Sequence, residues 1–165
     1  ATTEIYTLSI HDALPISQED VLLVLNARTN ELITRLQVGA APVAIALSKR
    51  GGRAYVAGYH DASVTEISVD ELRVTSTIPV GNNPAAVALS PDGKELYVAN
   101  AGDNTLTVID TRSHRQIAVV PVGISPQDVK VAPDGKSVFV VNAGDATESV
   151  VDPITWKVVA TIQGR

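Results

Sequence analysis

The chain repeats itself every 42 residues, and no other feature of the sequence limits its fold so tightly. Shifted by that interval, Gly39 falls on Gly81 and Gly123, and Pro42 on Pro84 and Pro126. Tyr55, Tyr97 and Phe139 share a column, as do Gly58, Asn100 and Asn142, and Ser68, Asp110 and Asp152. The register runs through three periods without a gap. A fixed period of this length is the mark of a solenoid, a propeller or an array.

Residues 82–123 are the best-preserved copy, and their local pattern reads as strands. Ala85 to Leu89 is a short apolar run. Pro91-Asp92-Gly93 follows as a turn, because proline presets φ and glycine accepts a positive one. Leu96-Tyr97-Val98 makes a second strand, Leu106 with Val108 and Ile109 a third, and Ile117 to Val122 a fourth. No apolar set recurs at helical spacing for long enough to make a helix. Four short antiparallel strands in a unit of this length describe a propeller blade. The expected fold is all-β, a partial β-propeller. Its complete four-stranded blades are residues 40–81, 82–123 and 124–165, and residues 17–39 form a partial blade holding its third and fourth strands.

Tyr97-Val98-Ala99-Asn100, flanked by Pro91-Asp92-Gly93 and Val108-Ile109-Asp110-Thr111, resembles the YVTN-type β-propeller repeat. Phe139-Val140-Val141-Asn142 with Pro133-Asp134-Gly135 resembles it again. Tyr55-Val56-Ala57-Gly58 is a weaker copy, in which Lys49-Arg50-Gly51 replaces the usual turn. The resemblance implies the fold, and it implies a periplasmic, cell-surface or secreted location. It is neutral on function, since such repeats serve binding domains, surface proteins and enzyme subunits alike.

Residues 1–16 depart from the period. Residues 6–16 resemble the in-frame translation of a sequencing-library adapter, in which case His11 and Asp12 carry no selected function. The segment can still pair as a strand on the open edge of the partial blade. Closed propellers have 4–8 blades, each buried only against its neighbours. Three and a half blades leave about six apolar side chains uncovered per terminal face, on the order of ten kcal/mol. Either the chain is a fragment of a longer protein, or copies of it associate through the open faces as a homodimer.

Composition narrows the chemistry. Without cysteine there is no disulfide, thiolate metal site or cysteine nucleophile. A net charge of −5 argues against non-specific nucleic-acid binding. No stretch reaches the apolar length of a membrane span. No Walker loop, G-x-G-x-x-G or G-x-S-x-G is present. No histidine pair has metal-ligand spacing, so no cofactor is expected within the chain.

The candidate site residues are departures and turns. First strands carry alanines near the expected axis, Ala44 and Ala46, then Ala86 and Ala88. The last copy places Asp128 and Lys130 there, two apart on one strand and therefore on one face. They are either ligand contacts in the channel or a solvated pair of opposite charges. His60, Asp61, Asp103, Asn104 and Asp145, with Asn83 of the neighbouring connection, are expected to line one rim. They are either ligand contacts or ordinary turn formers. His114 sits in a turn of the opposite rim, in the column of Trp156. Lys49, Arg50 and Arg53 form a small basic cluster, read as solvated or as phosphate-binding without a helix terminus to assist.

The expected function is a non-catalytic binding or scaffold module that contacts an unknown ligand or protein through rim loops. The alternative is part of a propeller enzyme, lactonase-like or a haem- or copper-associated oxidoreductase domain, whose ligands lie in other blades.

Overall fold

The computed structural model describes residues 13–16, 19–26, 28–49 and 52–164. Residues 1–12 lie outside these, with His11, Asp12 and most of the adapter-like stretch. So do Arg50 and Gly51 of the altered turn.

Among the described residues the structure is all-β, with fifteen strands. A three-stranded sheet comprises β1 (Ala13–Ile16), β2 (Val21–Leu25) and β3 (Leu32–Gln37). The second sheet is β4 (Pro42–Leu47), β5 (Arg53–Gly58), β6 (Ser63–Ser68) and β7 (Arg73–Pro79). The third is β8 (Pro84–Leu89), β9 (Glu95–Asn100), β10 (Thr105–Asp110) and β11 (Arg115–Pro121). The fourth is β12 (Pro126–Val131), β13 (Val138–Asn142), β14 (Thr147–Asp152) and β15 (Lys157–Gln163). Each sheet is an up-and-down antiparallel meander, and the arrangement is a partial β-propeller.

Ala13–Ile16 pairs with Val21–Leu25, Ile16 opposite Val21. Gly58 stands opposite Ser63 in the next sheet, so the two pairings keep the 42-residue register. The first sheet thereby has a strand in the second-strand place. The first strands β4, β8 and β12 neighbour one another at the inner edge. No helix among the described residues is long and apolar enough to cross a membrane.

Three apolar clusters fill the junctions between successive sheets. Leu22, Val24 and Leu36 meet Ala54, Val56 and Ile67. Tyr55, Ala57, Val64 and Ile78 meet Val87, Leu96, Val98 and Ile109. Tyr97, Leu106, Val108 and Val120 meet Val129, Val138, Val140 and Val151. Strand alternation drives this, because every second residue points to the same face.

Close approach explains the glycine column. A Cβ on Gly81 would stand 2.7 Å from Asn100 Cγ, and one on Gly123 2.5 Å from Asn142 Nδ2. Both asparagines are fully buried. Asn100 Nδ2 donates to Thr105 Oγ1 and Thr107 Oγ1 at 3.1 and 2.8 Å, and Asn142 Nδ2 to Thr147 Oγ1 and Ser149 Oγ at 2.9 and 3.0 Å.

One bulge recurs in every sheet. Pairing of the third and fourth strands slips between Val24 and Leu25, Glu66 and Ile67, Val108 and Ile109, and Val150 and Val151. A bulge re-aims the extra residue of its strand. In the second sheet that residue is Thr75, and the column it serves holds Glu66 where the other sheets hold valine.

Candidate functional site

The rim formed by the turns after β5, β9 and β13 gathers most of the residues that the sequence singles out. Tyr59, Ala101 and Ala143 donate backbone N–H groups to the carbonyls of Ala41, Asn83 and Ser125, tying each turn to the connection that leads into its own sheet. The carboxylates there are already engaged. Asp61 Oδ2 accepts Ala40 N–H at 3.1 Å. Asp103 accepts Asn82 N–H at 2.7 Å and Asn82 Nδ2 at 2.9 Å. Asp145 accepts Ile124 N–H at 3.0 Å and Thr147 Oγ1 at 2.7 Å. Backbone donation from Asn82 and from Ile124 holds the Asp103 and Asp145 carboxyls below the usual range. Asn83 Nδ2 donates to Tyr59 O at 3.2 Å, and Asn104 Oδ1 accepts Ser125 N–H at 2.8 Å. His60 is exposed, edge-on to Tyr59 with ring centroids 5.4 Å apart. Asp128 and Lys130 lie apart from this rim on β12, joined to each other at 2.8 Å with side chains 47% and 74% exposed.

The opposite rim holds a charged cluster at the junction of the second and third sheets. The Glu66 side chain is only 4% exposed, and both of its oxygens are engaged. Oε1 accepts from Arg53 Nη1 and from Tyr55 Oη, each at 3.0 Å. Oε2 accepts from Thr75 Oγ1 at 2.9 Å. His114 Nε2, from the third sheet, lies 3.0 Å from Oε2, an ion-pair distance without the alignment of a hydrogen bond. Arg53 Nη1 also reaches Thr111 O across the junction at 3.3 Å. Burial pushes the Tyr55 hydroxyl up to about 12, so it remains a donor at neutral pH.

The fold positions each member for a local reason. Arg53 and Tyr55 are two apart on β5, hence on one face. Thr75 is the bulged residue. His114 has φ 58, in the left-handed region that costs a non-glycine residue roughly 1–2 kcal/mol. Leu72 and Trp156 adopt the same conformation at their turns, and both pack against the junction clusters. The turn thus lays a large side chain over each junction.

The sequence names Arg53 and His114 without joining them, and it passes over Glu66 and Thr75. The signal was present in the columns. Glu66 stands with Val24, Val108 and Val150, and His114 with Leu72 and Trp156. Thr75 stands with Ile117 and Val159. Outside the cluster, a groove of about 740 Å³ opens against Lys49, Arg53, Tyr55, Asp92, Thr111 and Arg112. Among the described residues no group of three or more histidines and carboxylates is placed to hold a metal ion.

Residues 69–152, just over half of the chain, match the family model described as lactonase, seven-bladed β-propeller. The chain belongs to that family. The part matched to the lactonase-type propeller includes His114 and the whole third sheet, and stops short of Arg53 and Glu66. Curated proteins contain no match to the chain. Among solved structures it is similar to hydrazine synthase from Kuenenia stuttgartiensis, with a TM-score of 0.83 and 28% identity. That similarity covers 92% of this chain and 46% of the other, so the chain spans under half of that relative.

Proposed function

We propose that the chain is a non-catalytic binding module, and that its ligand is taken in the groove beside Glu66. The observation that carries this is the departure from the repeat at one junction. Arg53, Glu66, Thr75 and His114, whose columns in the other four-stranded sheets hold Glu95 and Ser137, two valines, Ile117 and Val159, and Leu72 and Trp156, here form one connected polar cluster against an open groove. The rim expected from the sequence is the less suitable surface, because its carboxylates are spent on backbone donors. By resemblance we place the protein in the periplasm, at the cell surface or outside the cell.

Membership of the lactonase-type family favours a second reading, that the chain is part of a hydrolytic enzyme. The two separate in one assay. The protein is incubated with γ-butyrolactone and δ-valerolactone and acid release is followed. A binding module gives the buffer rate. Saturable turnover that is lost in Glu66→Gln overturns the module reading.

A further inference from the structure

We infer that the groove between the second and third sheets binds a small, multiply charged anion, a ligand bearing phosphate or clustered carboxylates. This rests on the binding-module reading and names its ligand class.

Three cations reach the groove from three separate segments: Lys49 from the turn after β4, Arg53 from β5 and Arg112 from the turn after β10. The chain as a whole carries −5, so this concentration runs against its average charge. Asp92 is the one acidic residue among the described lining, and its carboxylate is paired with Lys94 Nζ at 2.9 Å. Arg53 is held in place through Nη1 by Glu66 and by Thr111 O, while its side chain remains 54% exposed. A cation fixed before the ligand arrives loses little entropy on binding. A volume of about 740 Å³ falls within the range of small-molecule sites.

The repeat supplies an internal control. The equivalent groove between the third and fourth sheets, about 480 Å³, is lined by Asp92, Lys94, Glu95, Asp134 and Ile154. Glu95 stands in the column of Arg53, Ile154 in that of Arg112 and Pro91 in that of Lys49. The same backbone geometry therefore carries three cations at one junction, where the next holds a carboxylate and two uncharged residues in the same columns. A scaffold role alone gives no reason for that difference. Recognition of an anion does.

The test is titration of the isotopically labelled chain with inorganic phosphate and, separately, with citrate at low ionic strength. Amide shifts are followed by NMR, because such contacts weaken with salt. Saturable shifts are expected at Lys49, Gly52, Arg53 and Arg112 with at least one probe, and the probe that binds more tightly identifies phosphate or carboxylate as the preferred group. Lys49→Gln/Arg112→Gln, which removes two exposed cations and none of the Glu66 contacts, is expected to weaken binding at least about tenfold without moving the melting temperature. Lys130→Gln, which removes an exposed cation on β12 outside the groove, is expected to leave affinity unchanged. Absence of saturable shifts with both probes, an unaltered affinity in the double variant, or shifts centred on Glu95 and Ile154 would overturn the inference. Lactone turnover alongside intact anion binding would instead sink only the module reading.

Discussion

Two junctions of this propeller share one backbone plan and differ in what fills it. Between the third and fourth sheets, Val108 is fully buried at the bulge and Trp156 packs over it. Between the second and third, the same columns hold Glu66 and His114, with Arg53, Tyr55 and Thr75 completing the set. Burying a carboxylate costs several kcal/mol unless partners recover it, and a well-packed apolar replacement is often neutral or better. The apolar junction shows that the fold does not need the charges. Their presence at one junction therefore points to a role besides stability.

The comparison breaks most sharply where a carboxylate is placed without partners. Val108→Glu is expected to cost about 3–5 kcal/mol, since Glu95, Ile117 and Trp156 stand there in the columns of Arg53, Thr75 and His114, and the Tyr97 hydroxyl is already given to Glu95. Urea unfolding measures it, and a cost under ~1 kcal/mol would mean that the junctions tolerate charge generally. Arg53→Met should cost about 1–3 kcal/mol by stripping a charged donor from buried Glu66. Ser137→Met, in the same column of the fourth sheet and without a side-chain partner there, should stay near ±0.5 kcal/mol. Equal effects at the two sites would erase the distinction.

A smaller net effect is expected when the polar pair is exchanged as a unit. Glu66→Val/His114→Leu reproduces the Val24 and Leu72 columns of the first junction. It should change stability by less than about 1.5 kcal/mol, while each single substitution destabilises more, leaving a coupling of roughly 0.5–3 kcal/mol. Strict additivity would show that Glu66 and His114 do not act together.

The smallest effect concerns exposed carboxylates on both rims. Backbone donors hold Asp103 and Asp145 below the ordinary carboxyl range, and Asp110 is held low chiefly by Ser113. Hydrogen bonds from Lys94 and Ser90 bring Asp92 down to about 2. Folding lowers these values, so their contribution is fully present above the unfolded carboxyl range near pH ~4 and drains as pH falls toward about 2. Urea midpoints should thus be flat from neutral pH to about 5 and decline below it. Asp103→Asn should shallow the decline slightly, and an unchanged acid limb would count against its role as a backbone acceptor.

How much of this was legible beforehand follows from which column is read. The strands, their order and the blade count came from residues that repeat, such as Gly81 with Asn100 or Pro91 with Gly93, because those positions answer to backbone geometry shared by every blade. Rim residues such as Asp103 and Asn104 fall in one turn by the same logic. Their lack of spare acceptors was not visible, since it depends on which N–H each carboxylate reaches. The Glu66 cluster was missed because its members come from different columns, and one of them from a neighbouring sheet. Only the bulge at Glu66 and Ile67 and the left-handed turn at His114 bring them within contact.

The central claim is that lining charge, on a scaffold common to all junctions, makes the site. The most direct test moves that charge. Glu95→Arg/Ile154→Arg installs the Arg53 and Arg112 columns in the groove between the third and fourth sheets, where Ile154 is 85% exposed and its replacement is cheap. Phosphate and citrate titrations followed by NMR are predicted to reveal a second responsive groove around residues 91–95 and 153–154, with the original one intact. A single responsive groove in that variant, unchanged from the parent chain, would contradict the account.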